Sequence, residues 1–137
     1  MNNKTFWIGL IVIFVVMQLI GYLVHEVWLD ETYRGLVDVF RVEEEMMSMM
    51  WMMMSSSILY LFLFCYIFTK GYEGKGVAEG ARYGLLMGLF ITIPMTVDNY
   101  VVYPVPGNLA LHWFLAGVAS YIIAGAIFAA IYKPSPA

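Results

Sequence analysis

Apolar residues in this chain fall into four long blocks separated by short polar stretches. A helix needs about 20 mostly apolar residues to cross a bilayer. Four segments meet that length: 5–29 ("TFWIGLIVIFVVMQLIGYLVHEVWL"), 46–69 (ending "SILYLFLFCYIFT"), 81–102 ("ARYGLLMGLFITIPMTVDNYVV") and 109–132 ("LALHWFLAGVASYIIAGAIFAAIY"). The pattern predicts an all-α membrane protein, a four-transmembrane-helix bundle forming a single domain over residues 1–137. The first block is expected to be a retained span: its apolar run exceeds a signal peptide's, and no small-residue cleavage site follows "VHEVWLDE".

The connections sharpen this reading. "KGYEGKGVAEG" reads as a polar loop, and "YPVPGN" as a tight turn in which proline and glycine end one helix and start the next. The longest connection, 30–45, mixes charges with Leu36, Val37, Val39, Phe40 and Val42. It is expected to lie along the membrane surface.

Composition agrees. Hydrophobic residues make up 62% of the 137 and charged residues only 12%, against about 25% charged in an ordinary soluble domain. Net charge is −3, and its distribution matters more than its size. Lys4, Lys70, Lys75, Arg82 and Lys133 fall on the side of both termini, and Arg34 and Arg41 on the other. The positive-inside rule then predicts an N-in/C-in orientation with the acidic 30–45 segment outside. Trp7, Tyr72, Tyr83 and Tyr132 mark one boundary, and Trp28, Tyr33, Tyr103 and Trp113 the other. No basic tract suggests nucleic acid. The single cysteine, Cys65, excludes an intrachain disulfide.

Small residues predict how the spans meet, because in lipid close backbone approach does much of the work. Gly80, Gly84 and Gly88 recur every fourth residue. On the fourth span Ala116, Ser120 and Ala124 share one face, and Gly117, Tyr121 and Gly125 the next. Spans three and four are expected to pack as a close antiparallel pair. Pro94 removes a backbone hydrogen bond and is expected to kink span three.

Polar side chains within spans are costly and so are candidates for function. At about 1.5 Å per residue, His25, Glu26, Asp98, Asn99 and His112 all fall in the outer quarter of the bilayer, and they predict a polar pocket there. The run "EMMSMMWMMM" holds seven of the chain's 11 methionines. Methionine is a flexible gap-filler, and the run is expected to pack against neighbouring spans. Its sulfurs also define an alternative. Thioethers favour Cu(I), and Met46, Met49, Met50, Met53 and Met54, at spacings of four, place pairs of sulfurs on one helix face, with His25 and His112 as possible nitrogen ligands. The same two histidines at matching depth would suit haem b.

Catalytic signatures do not carry through. "VHEVW" has Leu29 where HExxH needs histidine, "SSS" lacks a GxSxG context, and "GYEGKG" is not a P-loop. The expectation is a non-enzymatic protein without a cofactor. It would be an accessory or interaction subunit of a larger membrane complex, whose partners are the bilayer and another membrane protein or further copies of the chain. The alternative is a copper- or haem-binding or transport protein.

The stretches "YIFTKGYEGKGVAEGARYGLLMGL", "IPM", "YPVPGNLALHWF" and "IYKP" together resemble a group of small four-span bacterial membrane proteins with no assigned activity. That resemblance implies a bacterial inner-membrane location and no particular site.

Overall fold

A computed structural model describes residues 3–134. Among these there are helices and turns and no strand. Helix α1 (Asn3–Tyr22) widens into a π-helical stretch, Leu23–Trp28. Then come α2 (Asp30–Arg34), α3 (Glu43–Ser48), α4 (Met50–Lys70), α5 (Val77–Val102) and α6 (Gly107–Ile131). Four of these segments are long and apolar enough to cross a membrane: Asn3–Trp28, Met50–Lys70, Val77–Val102 and Gly107–Ile131.

The second span differs from its sequence-predicted form, which ran unbroken from residue 46. The helix breaks at Met49. In a continuous α-helix the Met49 N–H would donate to the Glu45 carbonyl. Instead the Ser48 hydroxyl donates to that carbonyl at 2.7 Å, and the Met49 N–H bonds Met46 and Met47. A serine that competes for a backbone acceptor in this way favours a helix end. The third span starts earlier than predicted, at Val77, and stays helical through Pro94, which lies on its exposed face.

Helices α5 and α6 run antiparallel along a seam with almost no side chains in it. A β-carbon on Gly80 would collide with the Gly125 carbonyl, and one on Gly84 with the Tyr121 carbonyl. Further along, Thr92 fills the space beside Gly117, and Gly88 lies against Val118. Thr92 and Ser120, both buried here, return their hydroxyls to their own helices, at Gly88 and Ala116. Each polar group is thus satisfied without water.

Helix α1 meets the opposite flank of α6, where Gly9 admits the Phe128 ring. Helix α4 closes the bundle only along its C-terminal half. Leu61, Phe64, Cys65 and Phe68 are buried in one core with Phe6, Leu10, Ile13, Tyr121, Ala124 and Phe128. The Tyr83 hydroxyl donates to the Phe64 carbonyl at 2.5 Å and ties α5 to α4.

The N-terminal half of α4 is different. It was expected to pack against its neighbours; instead Trp51 is 67% exposed, and Met52, Met53, Ile58 and Leu59 are exposed beside it. The glycine seam draws α5 and α6 together, and α1 leans on α6. Little is left opposite the upper part of α4.

Both chain ends come to one end of the bundle. The Thr5 hydroxyl donates to the Lys133 carbonyl at 3.0 Å and lies 3.3 Å from the Lys133 amide. We call this the termini end. The opposite, far end carries α2, α3 and a second small core of Leu29, Val105 and Leu109.

Candidate functional site

The far end holds the polar residues that the sequence singles out. The π-helical stretch sets the directions of His25 and Glu26. Its wide turn is closed by the Leu29 N–H bonding the Val24 carbonyl, five residues back, at 2.9 Å. Such turns insert one residue into the helical register and recur at functional positions. Here the turn ends by burying Leu29 against Val105 and Leu109. His25 then faces α2.

His25 meets Tyr33, a partner that sequence reasoning had placed only in the aromatic belt. The His25 Nδ1 lies 2.7 Å from the Tyr33 hydroxyl, and the two rings stack at 5.9 Å. The Trp113 indole N–H donates to the same hydroxyl at 2.6 Å. Indole can only donate, so the Tyr33 oxygen is an acceptor there. Its own proton remains available to His25 Nδ1, so one phenol links the imidazole and the indole. Phe40 closes the group edge-on against Tyr33 and near Trp113. Burial raises the Tyr33 phenol above the ordinary tyrosine range; the Trp113 bond opposes this, and the charge of Glu26 adds to it.

The other predicted pocket residues go elsewhere. His112 packs on the Trp28 ring at 4.8 Å, and its Nδ1 is buried without a hydrogen-bond partner among the described residues. Asn99 donates to Met95 on its own helix at 2.8 Å. Glu26 and Asp98 are exposed. The five residues share one end of the bundle, but no hydrogen bond joins His25 to His112, Asp98 or Asn99. On another face, a lateral groove of about 330 Å³ lies between α5 and α6, lined by Ile93, Val97, Tyr100 and Phe114. The buried Thr96 hydroxyl beside it has no hydrogen-bond partner among the described residues.

The methionines divide. Met46, Met47, Met52 and Met53 are exposed, whereas Met49, Met50 and Met54 are half-buried. The break at Met49 takes the pairs Met46–Met50 and Met49–Met53 off a common continuous helix. Met50 and Met54 remain one turn apart within α4. Among the described residues, no three His, Cys, Asp or Glu side chains gather where they could hold a metal.

At the termini end stands a carboxylate that the sequence puts inside the polar loop "KGYEGKGVAEG". Glu79, buried in the first turn of α5, accepts the backbone N–H groups of Glu73 at 2.6 Å and Lys75 at 2.7 Å. Gly74 and Gly76, both at positive φ, shape the loop around it. The available signal was an acid three residues past Gly76, at the N-terminus of a helix, where negative charge is favoured. Tyr33 gave a comparable hint at the far end, eight residues after His25, about two helical turns.

Compared with protein-family models, with curated proteins and with solved structures, the chain matches none.

Proposed function

We propose that this chain is a non-enzymatic protein of a bacterial inner membrane that serves as an interaction subunit of a larger membrane assembly. The observation that carries this reading is the upper half of α4. Trp51, Met52 and Met53 project from the bundle, and Ser55 and Ser56 are exposed along the same half. A helix that met only lipid would gain nothing from serines, and no more from a methionine run than from leucines. A helix that receives another protein gains from both, because serine permits close approach and hydrogen bonding and methionine adapts to irregular surfaces. The three glutamates of α3 lie directly before this surface and add polar contacts at its edge.

Orientation follows the charges. Five cations lie toward the termini end and two toward the far end, which supports cytoplasmic termini and a far end facing outward. The His25–Tyr33–Trp113 group then faces the outside and ties α2 to the π-helical stretch and to α6.

A photo-crosslinking amino acid at Trp51 or Met53, with Ile11 on α1 as the control position, tests the reading in cells. Protein adducts are expected from α4 and not from Ile11. Lipid adducts alone at all three positions would end the proposal. The second reading, binding of Cu(I), draws on Met50 and Met54, half-buried and one turn apart. Metal analysis of protein purified in mild detergent tests it, and an absorption spectrum of the same sample tests for haem b.

A further inference from the structure

The five cations near the termini end are not equally neutralised. Glu73 takes two of them, with Lys75 Nζ at 2.5 Å and Arg82 Nη2 at 3.2 Å. Glu79 is turned inward onto backbone amides. Among the described residues, Lys4, Lys70 and Lys133 therefore have no carboxylate partner.

All three stand at the termini end, and Lys70 lines a cleft there. A cleft of about 400 Å³ opens between the ends of α4 and α6, lined by Tyr66, Thr69, Lys70, Tyr72, Tyr132 and Pro134. Lys133 sits in the chain between two of those lining residues. Lys4 precedes Thr5, whose hydroxyl bonds the Lys133 backbone. The Lys70 ammonium lies 4.8 Å from the centre of the Tyr66 ring, and this cation–π contact holds it beside the cleft. Tyr72 and Tyr132 meet edge-to-face at 5.4 Å, and Phe68 packs against both. The aromatic wall is therefore fixed before any ligand arrives.

The position defines the ligand. Helix α4 has 21 residues, so it rises about 31 Å, close to the roughly 30 Å hydrocarbon thickness. A cleft at its last turn lies at the level of lipid headgroups. The two helix C-termini bring partial negative charge, each about half a unit. The Lys70 ammonium at the cleft opposes them, with Lys4 and Lys133 adding positive charge at the same end of the bundle. Phenol hydroxyls add hydrogen-bond donors, the Thr69 proton being given to the Tyr66 carbonyl, and the aromatic wall offers an apolar face. We propose that this cleft binds the phosphodiester of an anionic phospholipid, with Lys70 at the phosphate and Lys4 and Lys133 supplying the preference for net negative charge. Basic pockets between spans bind anionic headgroups in this manner. Inorganic phosphate presents the same anion but has no glyceride or acyl chain to lie on the aromatic wall. The site exists whichever side of the membrane the termini occupy, and it does not depend on what α4 contacts at the far end.

Thermal unfolding of the full chain in neutral detergent tests this, with phosphatidylglycerol, phosphatidylcholine or inorganic phosphate added. Phosphatidylglycerol is expected to raise the midpoint saturably and well beyond the other two. K70Q/K133Q is expected to lose most of that excess, and K75Q to keep it. Equal shifts from the two lipids would overturn the proposal, as would an unchanged excess in K70Q/K133Q. A full shift from inorganic phosphate would make the cleft a soluble-anion site and also overturn it. Should the double variant fail to fold, native mass spectrometry of the wild-type protein from an equimolar lipid mixture decides. Preferential retention of phosphatidylglycerol supports the site, and equal retention of both lipids refutes it.

Discussion

The carbonyl oxygens of Gly80 and Gly125 each occupy the space in which the other residue's β-carbon would stand. Backbone meets backbone there, so any side chain must push two helices apart. Gly80→Ala and Gly84→Ala are each expected to destabilise by about 1–3 kcal/mol, as overpacking does. Gly88→Ala should cost less, because its nearest neighbours stand at 3.2 Å. Gly21→Ala meets nothing within 4 Å and should stabilise α1 by up to about 1 kcal/mol. Unfolding midpoints of the four variants in one detergent check the order.

Tyr33→Phe leaves the Trp113 N–H without its acceptor and His25 without its partner. A loss of about 1 kcal/mol is expected, with a shifted 5-fluorotryptophan resonance for Trp113 and an unmoved one for Trp7. The phenol also gives a pH signature. Its pKa is raised in the folded state, whereas an unfolded tyrosine ionises near pH 10. Stability is therefore complete below that pH and falls as pH rises beyond it, because the unfolded chain releases the proton first. An alkaline unfolding series should show this slope in the wild type and a reduced slope in Tyr33→Phe.

Glu79→Gln removes one of two acceptors and presents an NH₂ group to a backbone N–H. About 1–3 kcal/mol is the expected loss, the penalty for a buried donor left unsatisfied. Amide hydrogen exchange at Glu73 and Lys75 should accelerate, while Tyr121 on α6 stays protected.

Glu73 is held below the ordinary glutamate range by its hydrogen bond with Lys75, by that ammonium's charge and by Arg82. Its contacts are present above the unfolded value and vanish as pH falls through the lower folded one. The carboxylate is exposed, so the effect is local and small. The Arg82 side-chain NMR signals should move with acid in the wild type and stay still in Glu73→Gln.

Much of this architecture was readable from spacing alone. Gly80, Gly84 and Gly88 stand four apart, and a period of four in small residues has one main use in lipid, so the α5–α6 pairing follows from sequence. Depth was equally accessible: counting residues from the lysines places His25 and His112 at the same end. Rotation about the helix axis was not. It depends on the π-helical stretch after Tyr22, which nothing in "LVHEVW" announces, and it turns His25 toward Tyr33 while His112 meets Trp28. The break at Met49 rests on one serine hydroxyl taking one carbonyl, a local choice invisible to an average over apolar residues. Burial of the methionine run was misjudged because hydrophobicity cannot separate a core neighbour from lipid.

The uneven grip on α4 has a mechanical meaning. Phe64 and its buried neighbours form a pivot, and Met50 lies 14 residues away, an arm of about 21 Å. A tilt of about 10° would sweep the free tip by roughly 4 Å at that arm length, with little disturbance at the fulcrum. The partner proposed for Trp51 and Met53 would therefore work at the long end of a lever.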